Sequence, residues 1–181
     1  MILVVKNSPK KIVFDPEKIT LLLTIKPKKY AFHEVERVAK QKWLSKKKEF
    51  HITLMGSTAG EVILEKIIRN SKEKKKILST IKELANKFSW NCSFQKKYYF
   101  ISKVYPGPNL KKEERKSIIQ LVNLPNLAPF YKKINRLLGT KFEIPFPHIT
   151  LFTNSTRKDK RLRGIGIYSK KEFRSLKPLK I

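Results

Sequence analysis

The chain of 181 residues is 40% hydrophobic and 10% aromatic, which excludes a disordered tail and allows one domain with a buried core. The chain has 42 lysine and arginine residues and 14 acidic residues, which give it a net charge of +28. This charge favours an RNA or nucleotide-like partner. A compositional bias of the genome would produce similar lysine-rich segments. The sequence shows no apolar stretch of the roughly 20 residues that cross a bilayer, no signal peptide and only one cysteine. We therefore expect a cytoplasmic monomer that does not contact membrane.

The first half of the chain predicts strands that alternate with amphipathic helices. Short apolar segments bounded by turn residues are typical of strands, and apolar residues at intervals of three and four are typical of helices. Strands are predicted at Ile2–Val5, Ile12–Phe14, Ile19–Ile25 and over residues 49–56. Helices are predicted over residues 32–44, over Glu61–Asn70 and around the apolar stripe between Ile77 and Phe88.

The second half predicts more of both kinds of element. A hairpin is predicted over residues 90–106, before the chain-breaking sequence PGPNL at residues 106–110. Helices are predicted over Lys112–Val122 and Leu127–Leu138, and Gly139 ends the second of them. The last two predicted strands are residues 146–153 and Gly164–Ser169. This pattern predicts an α+β fold in a single domain over residues 1–181.

The sequence His-Ile-Thr-Leu occurs twice, at His51–Leu54 and at His148–Leu151, although the chain has only three histidines. Side chains on a strand alternate between its two faces. Each copy therefore presents one imidazole and one hydroxyl on one face, and isoleucine and leucine on the other. Two such strands that face one another would bring two imidazoles and two hydroxyls together.

This set of groups suits the cleavage of a phosphodiester. One neutral imidazole can take a proton from the attacking oxygen while a protonated one gives a proton to the leaving oxygen. Threonine hydroxyls can donate hydrogen bonds to the non-bridging oxygens, where negative charge is concentrated. Two alternatives remain open: both histidines could be core residues, or they could bind zinc with a third ligand that the sequence does not supply in a recognisable pattern.

Two H-x-T-x motifs about a hundred residues apart, in a basic chain of this size, resemble the 2H phosphoesterases, a group that includes 2′,5′-RNA ligase-like proteins and 2′,3′-cyclic phosphodiesterases. The resemblance implies that His51 and His148 are the catalytic pair and that Thr53 and Thr150 contact phosphate. It implies two pseudo-symmetric lobes with antiparallel sheets flanking a central cleft, helices outside, and catalysis without a metal or other cofactor. It leaves open cyclic phosphate hydrolysis, 2′–5′ ligation and trimming of RNA ends.

Residues around the motifs are candidates for substrate binding. Aromatic side chains could stack on a base, although core packing explains them as well, and basic residues after the second motif could hold an RNA backbone. The candidates are Phe50, Phe146, Tyr98, Arg157, Lys158 and Arg161, and the same basic run also contains Lys160 and Arg163. An RNA- or nucleotide-binding module without turnover is the alternative function, because the positive charge supports it equally.

Overall fold

The computed structural model describes residues 11–25, 33–67, 71–106, 112–158 and 161–181 of the chain. The strands are β1 (Lys11–Asp15), β2 (Thr20–Ile25), β3 (Ser45–Lys46), β4 (Phe50–Met55), β5 (Ser93–Pro106), β6 (Lys112–Asn123), β7 (His148–Ser155) and β8 (Leu179–Lys180). The helices are α1 (His33–Gln41), α2 (Ser57–Val62) with a π-helical continuation over Ile63–Ile67, α3 (Ser71–Lys87), α4 (Leu127–Leu138) and α5 (Lys170–Ser175).

The smaller sheet has the order β1-β2-β4 and is antiparallel throughout. Its strands form because large apolar residues alternate with more exposed ones, so that Leu21 and Leu23 of β2 are fully buried between partly exposed neighbours. β4 lies at one edge of this sheet, with His51 opposite Thr24 of β2. The first His-Ile-Thr-Leu segment is therefore at the margin of the sheet.

The larger sheet has the order β3-β7-β6-β5-β8 and is also antiparallel. Its central strand β6 is buried from Ser117 to Val122 because both faces of the sheet are covered. β7 pairs with β6 and places His148 opposite Leu121. β4 and β7 lie side by side, so the two sheets meet where the two motifs are.

The main core fills the space between the strands and helices α1, α3 and α4. It contains alternate residues of both motif strands, such as Ile52 and Ile149, together with Ile81 of α3. Phe130 of α4 packs edge-to-face against Trp90, with ring centroids 5.3 Å apart. Each large side chain of this kind contributes about 1.5–3 kcal/mol when fully buried, so this core fixes the apolar faces of both motif strands inward.

A second, smaller core lies on the opposite face of the larger sheet. Ile101 and Ile119 of the sheet are covered there by Ile165, Ile167 and Phe173. The chain after β7 thus returns across the sheet and is held on it by burial of its isoleucines. This return segment, residues 161–168, is called the strap below.

The predicted α+β class with antiparallel sheets is confirmed, and most elements agree with the sequence-based boundaries to within a few residues. Gly139 ends α4 in the left-handed conformation, with φ of 63°, as the sequence indicates. The predicted strand at Ile2–Val5 lies outside the described residues, as does most of the PGPNL break. The assignment of residues 1–181 to a single domain stays a prediction.

The predicted helix over Lys112–Val122 is wrong, because these residues form β6. The run of lysine and glutamate favours a helix locally, but pairing with β5 and β7 overrides that preference. Glu113 and Arg115, two residues apart, lie on one face of the strand and form a buried bidentate ion pair with N–O distances of 2.5 and 2.9 Å.

Two further sequence-based assignments are wrong. The predicted hairpin over residues 90–106 contains one long strand, β5, whose pairing with β6 is irregular between Phe94 and Tyr98. Residues Gly164–Ser169 form no strand, because the strap crosses the face of the sheet instead of joining its edge. Its alternating isoleucines are buried as a strand's would be, which explains the error.

No helix in the described ranges has the length and apolar character needed to traverse a bilayer.

Candidate active site

The four residues singled out by the repeated motif line one cavity of about 210 Å³. Along β4 the residues Phe50 to Leu54 alternate between buried and half-buried, which turns His51 and Thr53 away from the core. β7 supplies His148 and Thr150 from the other sheet. The remaining lining residues are Lys47, Glu49, Arg163, Gly164, Ile165 and Gly166.

The strap forms one wall of this cavity and is fastened by hydrogen bonds to both neighbouring elements. The Lys47 ammonium donates to the Leu162 carbonyl at 2.8 Å. The Thr153 hydroxyl donates to the Arg163 carbonyl at 3.1 Å. Further along, the Phe146 amide donates to the Ile167 carbonyl at 3.2 Å. These contacts fix the strap on β7 and on the segment before β4, so the cavity has a preformed shape.

Gly164 lets the strap approach Thr150 closely. A Cβ atom at this position would lie 3.0 Å from the Thr150 hydroxyl oxygen and 3.3 Å from its methyl carbon. Any side chain would therefore press on Thr150 and change the position of its hydroxyl. The glycine thus keeps this hydroxyl at the cavity wall.

His148 is buried, with 9% of its surface exposed, and its orientation is fixed by the backbone. Its Nδ1 lies 2.7 Å from the Phe146 carbonyl oxygen, which can only accept, so Nδ1 carries the proton and Nε2 is the atom that exchanges one. Burial lowers the pKa of His148 below its ordinary value of 6.5, while the carbonyls of Phe146 and Ile165 and the charge of Glu172 oppose this shift. The neutral ring predominates at neutral pH.

His51 is half-buried and has different neighbours. Burial lowers the pKa of His51 most, and the positive charges of Lys47 and of a protonated His148 lower it further; Glu49 acts in the opposite direction. Because a positive charge on His148 disfavours a positive charge on His51, protonation of His148 makes protonation of His51 less favourable. The pair would hold one proton more readily than two.

Two cationic side chains give the cavity its positive charge. Burial lowers the pKa of Lys47 from 10.5, and Glu49 partly opposes this, so the direction of the shift is downward. Arg163 is exposed at the cavity margin. A guanidinium is well suited to phosphate oxygens because it presents several donors in one plane. The cavity thus combines two proton-transfer groups, two hydroxyls, two cations and one carboxylate, that of Glu49.

Two predicted substrate-binding residues are placed away from this cavity. Phe50 is in the main core with 7% of its surface exposed, so core packing accounts for it. Tyr98 packs against the same core, and its hydroxyl lies 3.3 Å from Nε2 of Gln120. Both side chains face the main core, whereas the motif histidines face the cavity. Neither stacking prediction is supported.

The other predicted contacts also lie outside the cavity lining. Phe146 stacks on Phe173 with ring centroids 4.5 Å apart, so its contribution is the carbonyl that holds His148. Arg157, Lys158 and Arg161 follow β7 but do not line the cavity. Among the residues of this basic run that the structure describes, Arg163 lines the cavity.

Sequence reasoning missed several lining residues that a simple extension would have found. The period of two that links His51 and Thr53 continues backwards to Glu49 and Lys47. Applying that alternation beyond the tetrapeptide predicts a carboxylate and an ammonium beside the imidazole. The contribution of Gly164 has no comparable signal, because it depends on how the strap crosses β7.

A metal site in this cavity would need at least one more ligand beside the two histidines. Glu49 is a carboxylate in the same cavity as the two histidines. Even so, within the ranges that the structure covers, no three His, Cys, Asp or Glu side chains converge closely enough to hold a metal ion together.

Comparison with known proteins gives no match: no protein-family model, no curated protein and no solved structure is significantly similar to the chain.

Proposed function

We propose that this protein is a metal-independent phosphoesterase of the 2H type that acts on 2′,3′-cyclic phosphates or 2′–5′ linkages of RNA or oligonucleotides. The observation that carries the proposal is that His51, Thr53, His148 and Thr150 line one cavity although the two motifs are about a hundred residues apart in sequence. They come from two different antiparallel sheets, where β4 is an edge strand and β7 is the strand next to the edge strand β3, and this supports a two-lobed arrangement around a central cleft. A cytoplasmic monomer remains part of this proposal.

The phosphate would sit between the imidazoles and be held by the surrounding donors. Lys47 and Arg163 supply positive charge for its non-bridging oxygens. The hydroxyls of Thr53 and Thr150 supply neutral hydrogen bonds from the two sides. Donors fixed in position before the substrate arrives stabilise the charge that develops in the transition state without further reorganisation.

The surroundings of the two histidines favour different roles. His51 has the Lys47 charge beside it, so its neutral form is favoured and it suits the general base. His148 has the carbonyls of Phe146 and Ile165 beside it, which favour its protonated form once a phosphate anion offsets the cost of burial. His148 therefore suits the general acid.

In the hydrolysis of a 2′,3′-cyclic phosphate, His51 takes a proton from water as the water oxygen attacks phosphorus. A new P–O bond forms, and the bond from phosphorus to one ribose oxygen breaks. His148 gives its proton to that departing oxygen, which leaves as a hydroxyl. The product is a nucleoside monophosphate, and transfer of a proton between the histidines through solvent restores the starting state. In the ligase direction a hydroxyl of the second RNA strand takes the place of water.

Phosphorus NMR of the protein with 2′,3′-cyclic nucleotides and with a cyclic-phosphate-ended oligonucleotide tests the proposal. We expect conversion to a single monophosphate isomer, and near-complete loss of turnover in His51→Ala and His148→Ala with retained folding and RNA binding. The matched control is His33→Ala, which changes an exposed histidine at the start of α1. Full activity in either motif variant rules out the mechanism.

Two other outcomes of this experiment separate the alternatives. If EDTA abolishes turnover and zinc restores it, the site depends on a metal ion for catalysis. RNA binding without any turnover would identify a binding module, which the net charge of +28 also supports.

A further inference from the structure

A second cavity of about 250 Å³ lies next to the proposed catalytic one. It is lined by Gly56, Thr58, Val62, Phe142, Pro145 and Tyr168, among others. Gly56 directly follows β4, which carries His51 and Thr53. The second cavity therefore begins at the end of the strand that supplies half of the catalytic groups.

Tyr168 lines the second cavity and lies close to residues of the catalytic one. A Cβ atom on Gly56 would lie 3.1 Å from the Tyr168 ring and 3.7 Å from the methyl group of Thr53, which lines the catalytic cavity. A Cβ atom on Gly166, which also lines the catalytic cavity, would lie 3.1 Å from the Tyr168 hydroxyl. The ring thus lies close to one residue of each cavity, Gly56 and Gly166, and the two glycines leave room for it.

The tyrosine is held in place by a network that extends to the larger sheet. Its backbone amide donates to a carboxylate oxygen of Glu172 at 2.6 Å. Glu172 is paired with Lys103 of β5 at 2.5 Å, and the Lys103 ammonium lies 5.7 Å from the centre of the Tyr168 ring. Because Tyr168 is fixed at its backbone and contacted at its ring, little conformational entropy remains to be lost when a ligand binds against it.

The walls of the second cavity suit a flat heterocycle. Val62, Phe142 and Pro145 are apolar, and Tyr168 adds an aromatic ring. Lys141 and Glu143 are exposed at the rim and can donate to and accept from the polar edge of a base. The volume is below the range of pockets that hold drug-sized ligands, so it suits a single ring system.

We propose that this cavity binds the nucleobase of the nucleotide whose phosphate occupies the catalytic cavity, with Tyr168 as its principal contact. The inference rests on the proposed function, because the ligand it assigns is part of the same substrate. A base site extends the proposed function, because the protein would then recognise the nucleoside as well as the cyclic phosphate. Contact between a base and an aromatic side chain contributes about 1–3 kcal/mol, which corresponds to roughly a fivefold to hundredfold difference in affinity.

The test compares nucleoside 2′,3′-cyclic phosphates with methyl β-ribofuranoside 2′,3′-cyclic phosphate, in which a methoxy group replaces the base. We expect the wild-type protein to favour the nucleotides by about tenfold or more in kcat/KM. Tyr168→Leu should bring this ratio close to one, whereas Tyr168→Phe, which keeps the ring, should preserve it. Leu137→Ala, on the exposed face of α4, is the matched control and should leave the ratio unchanged.

A second variant guards against misfolding of Tyr168→Leu. Thr58 is exposed at the cavity wall, so Thr58→Phe should fill the space without disturbing the core and should also reduce the ratio. An unchanged ratio in both Tyr168→Leu and Thr58→Phe, or a wild-type protein that does not distinguish the two substrates, would overturn the inference.

The inference can also be tested when no substrate is turned over. Isothermal titration with uridine or adenosine 3′-monophosphate, against methyl riboside 3′-phosphate, measures the contribution of the base directly. If the base-less phosphate binds more weakly than the nucleotide, and this difference in affinity disappears in Tyr168→Leu, the base site is supported even if the proposed catalysis fails. Equal binding of both phosphates contradicts the base site even if catalysis is found.

Discussion

His148 shows how a single backbone contact decides which atom of a side chain can react. The Phe146 carbonyl accepts from Nδ1 at 2.7 Å, which leaves Nε2 for proton exchange. Pro145 and Pro147 flank Phe146, and their fixed φ angles stiffen the segment that carries this carbonyl. The residues just before the second motif therefore orient the catalytic ring and do not contact the base themselves.

The roles assigned to the two histidines predict different responses to the leaving group. On a 2′,3′-cyclic nucleotide, His51→Gln and His148→Gln should each lose about 100- to 10,000-fold in kcat/KM, because both proton transfers are needed. On a nucleoside 3′-(p-nitrophenyl phosphate), the leaving phenolate needs no proton. Nitrophenolate leaves from the position that water takes in hydrolysis, and the ribose 2′-hydroxyl attacks, so in this reaction His148 is the base and His51 is the acid that is not needed. His51→Gln should then show a much smaller loss, while His148→Gln should still be strongly impaired.

Steady-state kinetics with both substrates measures this difference. The opposite order, with His148→Gln recovering on the activated ester, would exchange the two roles. Equal losses on both substrates for both variants would contradict separate acid and base functions.

Among the elements, β6 shows where sequence reasoning reaches its limit. Glu113 and Arg115 belong to a charged run with good helical propensity, yet in the strand they share one face and pair with each other while Ser155 of β7 donates to Glu113 at 2.7 Å. The strand is specified by partners distant in sequence, which a local pattern cannot reveal. The motif strands were predictable because period-two alternation is itself local.

The position of the strap could likewise be predicted only in part from the sequence. Ile165 and Ile167 alternate with glycine as in a strand, and the pattern correctly indicates which side chains are buried. It could not indicate that the segment lies across the sheet, because that depends on contacts with Thr153 and Lys47. For this reason Gly164 was identified as a cavity residue only in the structure, whereas Arg163 belongs to the basic run that the sequence already indicated as a contact for the RNA backbone.

The packing of α2 against the β1–β2 turn predicts an unusually sensitive glycine. A Cβ atom on Gly60 would lie 2.0 Å from the Lys18 carbonyl oxygen and 3.0 Å from that of Ile19. Gly60→Ala should therefore force the backbone apart and lower the free energy of unfolding by about 3 kcal/mol. Urea denaturation followed by circular dichroism measures the change.

Gly139→Ala is the matched control for this substitution. Gly139 has no neighbour within 4 Å of its would-be Cβ, but it has φ of 63°. Gly139→Ala should lower the free energy of unfolding by only about 1 kcal/mol, because alanine is less stable than glycine in the left-handed conformation. A Gly60→Ala protein as stable as Gly139→Ala would show that α2 is not packed against the turn in this way.

For the whole molecule, the net charge of +28 should separate long substrates from short ones. If the lysines form a binding surface, the affinity for an oligonucleotide should fall with salt at a logarithmic slope of about 0.7 for each phosphate contacted. A cyclic mononucleotide, which contacts only the cavity, should show a much smaller slope.

Titrations of an octanucleotide and of a mononucleotide over a series of potassium chloride concentrations measure the two slopes. Equal, shallow slopes would indicate that the lysine content is a compositional bias without a binding role.

Nitrogen-15 NMR of the imidazoles tests whether one phosphate contacts both motif histidines. The chain has three histidines, and His33, exposed on α1, serves as an internal control. In the free protein the pKa values of His51 and His148 should both lie below 6.5, because burial disfavours the charged rings. A bound phosphate anion should raise both, since it favours the protonated form.

We predict that adding uridine 3′-monophosphate shifts the resonances of His51 and His148 together, with one dissociation constant, while His33 stays unchanged. A response of only one motif histidine, or two different dissociation constants, would contradict the account.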